Sequence, residues 1–299
     1  MASLRDIRKH ISAVKSIRQI TYAMKMVAAA RIKRAQNAIL ASRPFAVDMG
    51  RIVSDLYGEF SDDDISGTLA HSLFSERQAG EKCLILITAD KGLCGSFNSN
   101  LLKAAVAWIR ANKSGRIHVI TVGRKGKDFL RRIKNVDMTV DYELTGIFPK
   151  AHYVHAKLLG DSVIKIFASG SVDSVTLIYN EFKSMVSQKI VTERILPLKE
   201  YITRGSVSKQ QGVNRDFIFE PRKKELLDAL LPRHINAQLY RALLESQAAE
   251  LAARMTAMEA ASKNASELID GLTLKMNKTR QSMITTELNE IVGGSEALQ

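Results

Sequence analysis

The sequence is poor in cysteine and proline, with two cysteines and five prolines among 299 residues. Cys83 and Cys94 are eleven residues apart, a spacing that matches neither a zinc site nor a thioredoxin-like redox pair. Because both lie in or just after a predicted buried strand, we expect reduced thiols rather than a disulfide framework.

Long hydrophobic runs are also missing. No stretch of about 20 apolar residues occurs, so the sequence predicts no transmembrane helix. The first residues, MASLRDIRKHISAVKS, have no apolar core followed by a small-residue cleavage site, and we expect no secretory signal.

Residue patterns typical of catalysis or metal binding are absent. Of the six histidines, only His152 and His155 are close in sequence, with no cysteine or carboxylate cluster nearby, so we expect no metal site. No Ser/His/Asp or paired-carboxylate arrangement stands out, and we expect no catalytic residues and no cofactor. In DKGLCGSFN, Gly92 and Gly95 favour tight strand-to-helix packing, with a phosphate cradle as the alternative. GRKGK at 123–127 is interpreted as a basic helix start.

The charge is unbalanced, with 44 Lys+Arg against 31 Asp+Glu. This excess suggests nucleic acid, anionic lipid or an acidic protein surface as the partner. The first 45 residues hold ten cations and one acid, Asp6, but only two aromatic residues, Tyr22 and Phe45. Nucleic-acid binders more often interleave aromatics with cations, so an acidic protein surface is favoured. A basic coiled coil that binds nucleic acid, and an enzyme built on a nucleotide-using fold, remain as alternatives.

The N-terminal segment, 1–58, is predicted to be one long helix of a coiled coil. Ser3 and Asp6 have capping-box spacing, and Pro44 is expected to kink the helix without ending it. Gly58 and the acidic stretch after it end the helix. One apolar stripe recurs every three or four residues: Leu4, Ile7, Ile11, Val14, Ile17, Ile20, Met24 and Val27.

The middle segment, 81–200, changes to alternating strands and helices, which predicts an open, Rossmann-like α/β sheet domain. The predicted strands are KCLILIT, RIHVITV, DSVTLIYNEF and QKIVTERILPL. The predicted helices are FNSNLLKAAVAWIRANK, RKGKDFLRRIK and HYVHAKLLGDSVIKIFASG. Residues 203–216 are interpreted as a loop or weak hairpin.

The C-terminal segment, 221–292, is predicted to be a second coiled-coil helix, antiparallel to the first. A helix over 234–291 would be roughly 87 Å long, whereas an α/β domain of about 120 residues is roughly 35 Å wide. The end of the pair therefore needs cover from a partner, the alternative being that it folds back onto the α/β domain. Two stripes are predicted to be interior: Ile235, Leu239, Ala242, Ser246 and Ala249, then Met258, Ala261, Ala265, Leu268, Leu272, Met276, Thr279 and Met283.

Four stretches resemble the γ subunit of F-type ATP synthases, in the same order along the chain. They are AMKMVAAARIKRAQ, ITADKGLCGSFN, ARMTAMEAASKNASELI and NKTRQSMITTELNEIVGG. The chain departs from the family at Gly294-Ser295, where Gly-Ala is usual. The resemblance implies a non-catalytic rotor shaft of a proton- or ion-translocating ATP synthase. Its partners would be the α, β, ε and δ subunits and the c ring. It would lie at the cytoplasmic face of the bacterial inner membrane or, as the alternative, on the matrix side of the mitochondrial one.

The same resemblance implies roles for individual residues. Met24 matches a position where an added cation disturbs coupling, and Glu220 matches the contact with the c ring. Arg31, Lys33 and Arg34 would face acidic lever segments of the β subunits. Residues of the C-terminal motif would contact the αβ hexamer: Arg280, Gln281, Thr285, Glu287, Leu288 and Ile291.

Overall fold

The computed structural model describes residues 3–58, 60, 69–77, 80–113, 115–133, 136–185, 187–198 and 222–296. Glu220 and the predicted loop at 203–216 lie outside these residues. The chain forms two compact units, one made of Met1–Ala29 with Arg254–Gln299 and the other of Ala30–Ala253. Each of the two long terminal helices is divided between the units, at Ala29/Ala30 in the first helix and at Ala253/Arg254 in the second.

Six helices and five strands make up the described chain. α1 has 54 residues and α6 has 74, and each contains one proline, Pro44 and Pro232, without interruption. The predicted fold class, long terminal helices around a central α/β sheet, is therefore confirmed. The elements are α1 Leu4–Tyr57, α2 Leu69–Phe74, β1 Lys82–Ile87, α3 Phe97–Ala111, β2 Ile117–Val122, α4 Arg124–Leu130, β3 Met138–Leu144, α5 Tyr153–Ala168, β4 Ser174–Phe182, β5 Gln188–Leu196 and α6 Lys223–Glu296.

The sheet has the strand order β3-β2-β1-β4-β5. The first four strands are parallel, and β5 pairs antiparallel to β4. All four predicted strands are present, but β3 was not predicted. Its sequence, MTVDYEL, alternates polar and apolar residues and has no continuous apolar run. Its side chains are at most half-buried, because β3 lies at the edge of the sheet. The short helix α2 was not predicted either.

Apolar side chains on each face of the sheet form separate cores. Leu84 and Leu86 of β1 pack with Leu101 of α3 on one face. Ile85 and Ile87 lie on the other face, in a core that includes side chains of α1, α5 and α6. β1 is buried on both faces, which agrees with the continuous apolar run KCLILIT.

The unit formed by the chain ends is an antiparallel helix pair. Ile7, Ile11 and Val14 of α1 form a core with Ala265 and Ile269 of α6, against which Leu272 and Met276 pack. Lys25, further along α1, pairs with Glu259, which is earlier in α6, so the two helices run in opposite directions. At the start of α1, Asp6 N donates to Ser3 Oγ and Ser3 N donates to Asp6 Oδ2, which confirms the predicted capping box.

The predicted stripe on α1 is wrong after Val14. Ile17, Ile20 and Val27 are at least half exposed, whereas Thr21 and Ala28 are buried. The buried residues Ile7, Val14, Thr21, Ala28 and Ala35 repeat every seven residues, the period of a supercoiled pair.

The same shift appears on α6. Leu268 and Met283 were predicted to be interior but are 47% and 46% exposed, and Ile269 is buried instead. The first stripe, from Ile235 to Ala249, is buried as predicted.

Candidate partner interface

The C-terminal end of α6 extends past the start of α1. With Lys25 opposite Glu259 in an antiparallel pair, Leu4 is level with a residue near 280. Residues 281–296 therefore extend by about 24 Å at roughly 1.5 Å per residue. Every side chain from 280 to 295 is exposed, so no part of the described chain covers this segment.

The exposed segment is apolar on one side. Met283, Ile284, Leu288, Ile291 and Val292 are between 46% and 68% exposed. Ile284, Leu288 and Ile291 follow at four- and three-residue intervals and therefore share one helix face. A contiguous apolar face of this kind marks an interaction surface, and the exposure argues against the alternative that these residues fold back onto the sheet.

Polar residues of the predicted motif lie beside this apolar face. Arg280 and Glu287 are exposed and form no ion pair with a described residue. Their spacing from Ile284 and Ile291 places them on the same helix face. Thr285 Oγ1 instead donates to the carbonyl of Gln281 at 3.0 Å, within the helix. Arg280, just before the segment, and Glu287 within it thus place a cation and an anion on this apolar helix face, each available to a partner.

The predicted cations of α1 do not share one face. Arg31 and Arg34 are three residues apart on one side of the helix, whereas Lys33 points to another side. All three are exposed and form no ion pair with a described residue. Met24 is half-buried beside this region. Arg31 and Arg34 can therefore meet one acidic surface together, and Lys33 cannot join them.

Sequence reasoning found only part of the exposed apolar surface of α1. Met26 and Val27 are exposed, as predicted for a face left to a partner. Ile17 and Ile20 of the predicted stripe also lie on the surface, as does Tyr22. The sequence did carry a signal for these exposed residues, because α1 contains more apolar residues than one seven-residue seam can bury. Large exposed side chains in this part of α1 offer a further apolar surface to a partner.

The described residues contain no helix long and apolar enough to cross a membrane. Within the same ranges, no group of three or more histidine, cysteine or acidic side chains is arranged to hold a metal ion.

Comparison with known proteins identifies the family. The sequence model of the ATP synthase family matches residues 3–298. The ATP synthase gamma chain of Elusimicrobium minutum is 46% identical over 305 residues, covering all of this chain and 99% of the relative. The chain belongs to the ATP synthase gamma chain family. A second gamma chain, from Desulfitobacterium hafniense, is 40% identical over the full length of both chains.

Solved structures agree with this membership. A chain from the central stalk and c ring of the Tetrahymena thermophila mitochondrial ATP synthase superposes with a TM-score of 0.61 at 28% identity, covering 81% of this chain and 99% of that one. A chain of the Euglena gracilis mitochondrial ATP synthase shares the fold, with a TM-score of 0.65 over 99% of this chain and 94% of that one, at 21% identity. Membership of the gamma chain family supports the interpretation as an ATP synthase subunit over that of a nucleic-acid-binding coil.

Proposed function

We propose that this chain is the central stalk of an ion-translocating F-type ATP synthase, where it couples rotation of the c ring to conformational changes of the catalytic β subunits. The observation that supports this best is the uncovered end of α6, residues 281–295, in a member of the gamma chain family. An exposed apolar helix end of this length needs a protein sheath, and the ring of α and β subunits is the sheath that this family's function requires.

The shaft would impose asymmetry on identical sites. Three β subunits with the same sequence must differ at any instant, and a helix pair with unlike faces touches each of them differently. Each orientation of the shaft favours one set of β conformations, which is a coupling free energy, typically about 1–3 kcal/mol per effector. Rotation of the shaft then shifts that preference from one β subunit to the next.

The two kinds of contact at the α6 end have different tasks. Leu288 and Ile291 would turn within an apolar collar of the hexamer, where hydrophobic contact is non-directional and offers little resistance to rotation. Arg280 and Gln281, with Thr285 and Glu287 in the same motif, would form directional hydrogen bonds to β-subunit loops. Such bonds hold the shaft at defined angular positions.

Other predicted contacts extend along the chain. Arg31, Lys33 and Arg34 would face the acidic lever segments of the β subunits, with Arg31 and Arg34 meeting one lever together. Met24 would contact the αβ hexamer at a position where an added cation disturbs coupling. Glu220 would contact the c ring. The helical segments 1–58 and 221–292 would form the shaft, and the α/β segment 81–200 would form its base beside the ε subunit, with δ present elsewhere in the complex.

The chain would have no catalytic residue and no cofactor of its own, since ATP chemistry in such a complex belongs to the β subunits. One copy would serve each complex, attached peripherally to the membrane through the c ring. The bacterial sources of the gamma chain relatives favour the cytoplasmic face of a bacterial inner membrane over the matrix side of a mitochondrial one.

The test is deletion of residues 277–299 in the assembled complex, with removal of residues 294–299 alone as the control. ATP hydrolysis and ATP-driven ion movement are measured on the same vesicles. We expect the longer deletion to lower the ions moved per ATP hydrolysed by at least about half, and the control to keep the wild-type ratio. An unchanged ratio in the longer deletion contradicts the proposal, and so does ATP hydrolysis by the purified chain alone.

A further inference from the structure

The unit that contains the sheet has a polar cavity that the proposed rotor function does not use. Its volume is about 470 Å³. Its walls include Ser96, the N-cap residue of α3, Asn100 from the first turn of that helix, Asn180 of β4, Ser187 from the β4–β5 turn and Gln188 at the start of β5. The predicted phosphate cradle, Gly92 and Gly95, is not among the lining residues, so this is a different place on the sheet.

Asn180 marks the cavity as a built site. The residue is 3% exposed, and strand alternation places its side chain on the same face as Ile178 and Phe182, which pack in the core beneath α3. Its amide makes no hydrogen bond to a described residue. Buried amide groups normally have partners, and the side chain of Asn180 lines the cavity, where solvent or a ligand can provide one. A ligand that entered the cavity would supply the missing partner.

The cavity lies next to the position in the sheet at which open α/β folds bind ligands. From β1 the chain passes through α3 to β2 on one side, whereas β4 pairs with β1 on the other side. The order of strands therefore reverses between β1 and β4, and crevices at the carboxyl ends of strands at such a point commonly hold ligands. The cavity lies at the carboxyl end of β4, beside the helix that follows β1.

The charges of the lining favour an anion. Lys183 and Lys189 are lining residues, and none of the lining residues is acidic. Lys183 Nζ also contacts Glu181 Oε1 at 2.7 Å, and Glu181 lies on the opposite face of β4 from Asn180. The start of α3 adds the positive end of a helix dipole, and Ser96 at its N-cap makes no capping hydrogen bond with its side chain.

We propose that this cavity binds a phosphate-class oxyanion, either free phosphate or a phosphate group of a nucleotide. The amide nitrogens of Asn180 and Asn100 and the hydroxyl of Ser187 would donate hydrogen bonds to its oxygens, and Lys183 would supply charge. This site is independent of the rotor proposal, because none of its residues belongs to the candidate partner interface.

The experiment measures thermal unfolding of the full-length chain against increasing inorganic phosphate or ADP, with chloride at equal ionic strength as the reference. A ligand that binds the folded state raises the unfolding temperature along a curve that saturates. We expect a saturating rise of a few degrees with phosphate. If ADP raises the unfolding temperature only as much as the same concentration of phosphate groups from inorganic phosphate, the ligand is the free ion. If ADP saturates at a concentration about tenfold lower than inorganic phosphate does, the ligand is a nucleotide.

Two variants and a control decide whether the cavity is responsible. Asn180→Asp places a carboxylate on the cavity floor, and Lys183→Glu reverses a charge on a side chain that is 53% exposed, so the second variant keeps the fold. Each is expected to raise the apparent dissociation constant about tenfold or more, through like-charge repulsion. Lys165→Glu, an exposed change on α5, should leave it unchanged. A rise that does not saturate in the wild-type chain, or that both variants retain in full, overturns the proposal.

Discussion

Lys25 Nζ lies 2.5 Å from Glu259 Oε1, which joins α1 to α6 across 234 residues of sequence. Lys25 occupies a position of the seven-residue seam, between the buried residues Thr21 and Ala28, where an apolar side chain would be expected. The ion pair thus fixes the register of the two helices here, because the small side chains around it interlock too little to fix the register by packing.

Reversing one charge of this pair should weaken the helix pair, and reversing both should restore it. Lys25→Glu opposes Glu259 with a like charge, and we expect a loss of about 1 kcal/mol, the upper range for a partly exposed pair. Lys25→Glu with Glu259→Lys should recover at least half of it. Urea unfolding of the full chain, monitored by circular dichroism, measures both, and equal loss in the double variant would show that the pair does not set the register.

Gly160 on α5 allows the close approach of α6. A Cβ at this position would overlap Asn236 Oδ1 and meet Leu239 Cδ1 at 3.6 Å, and Asn236 is buried, so the side chain must shift within a packed core. We therefore expect Gly160→Ala to lower the free energy of unfolding by about 1–3 kcal/mol. Gly271→Ala is the matched control, since it is helical and has nothing within 4 Å. It should instead stabilise by about 0.5–1 kcal/mol, as a helical alanine does. Chemical denaturation compares the two, and similar changes from both would refute this account of the packing.

His118 of β2 contacts Asp141 of β3 and Glu81, the residue before β1, and should make the stability of the sheet depend on pH. Its Nε2 lies 2.8 Å from Glu81 Oε2, and its Nδ1 lies 2.9 Å from Asp141 Oδ2. Burial alone would lower the pKa of His118, but the hydrogen bonds and charges of the two carboxylates outweigh it and raise the pKa above its usual value. The protonated imidazole therefore stabilises the fold fully below the unfolded pKa of about 6.5, and this contribution is lost as pH rises through the folded value.

The measurement for His118 is the urea midpoint of the wild-type chain and of His118→Gln between pH 5.5 and 8.5. We expect the wild-type advantage to be largest at the acidic end and to shrink as pH rises. An advantage that stays constant across this range would mean that the imidazole acts only as a neutral hydrogen-bonding group.

His234 should respond to pH in the opposite direction. It is 1% exposed on α6, and burial, aided by the charge of Arg241, lowers its pKa to about 4. Between pH 6.5 and 4 the unfolded chain binds more protons at this residue, so the fold loses stability as pH falls through that window. We expect His234→Leu to lose less stability than the wild type between pH 6.5 and 4.5, measured by thermal unfolding. A steeper loss in the variant would contradict the assignment.

The apolar end of α6 allows folding and coupling to be tested separately. Leu288 and Ile291 are 56% and 68% exposed, so Leu288→Asp or Ile291→Asp should change the unfolding free energy of the isolated chain by less than about 0.5 kcal/mol. In the assembled complex the proposed apolar collar would bury the added carboxylate, and ATP-driven ion movement should fall several-fold. Asn289→Asp, which adds the same charge on another helix face, is the control. Equal defects from all three would show that this face is not specifically apolar in the complex.

Much of the fold follows from local pattern. The long helices, the capping box at Ser3 and the four strands with strong apolar runs were all predicted, because periodicity and burial agree there. The edge strand β3 was missed because its side chains are at most half-buried. The predicted stripe on α1 left the buried face at Ile17 because it advances by three residues per step from Ile11 to Ile20, whereas the seam of a helix pair advances by 3.5 on average. Residues such as Thr21 are buried by the geometry of the pair and not by their own hydrophobicity.

The partner surface was predictable only in outline. An apolar tail too long for its own chain to cover indicated that a partner exists, whereas the role of each residue, such as Arg280 or Glu287, depends on side chains that belong to other proteins. The cavity beside Asn180 gave no sequence signal, since its walls come from three separate elements that meet only in the folded sheet.

The position of β3 at the edge of the sheet bears on the tendency of the free chain to aggregate. An edge strand presents unpaired backbone groups that can template the addition of a foreign strand and so start aggregation. Here the edge carries Asp141, held by His118, and Glu143, held by Lys127 and Arg131. Fixed charges along that border discourage a second copy from adding a strand there, which keeps this edge of the sheet free of unwanted pairing.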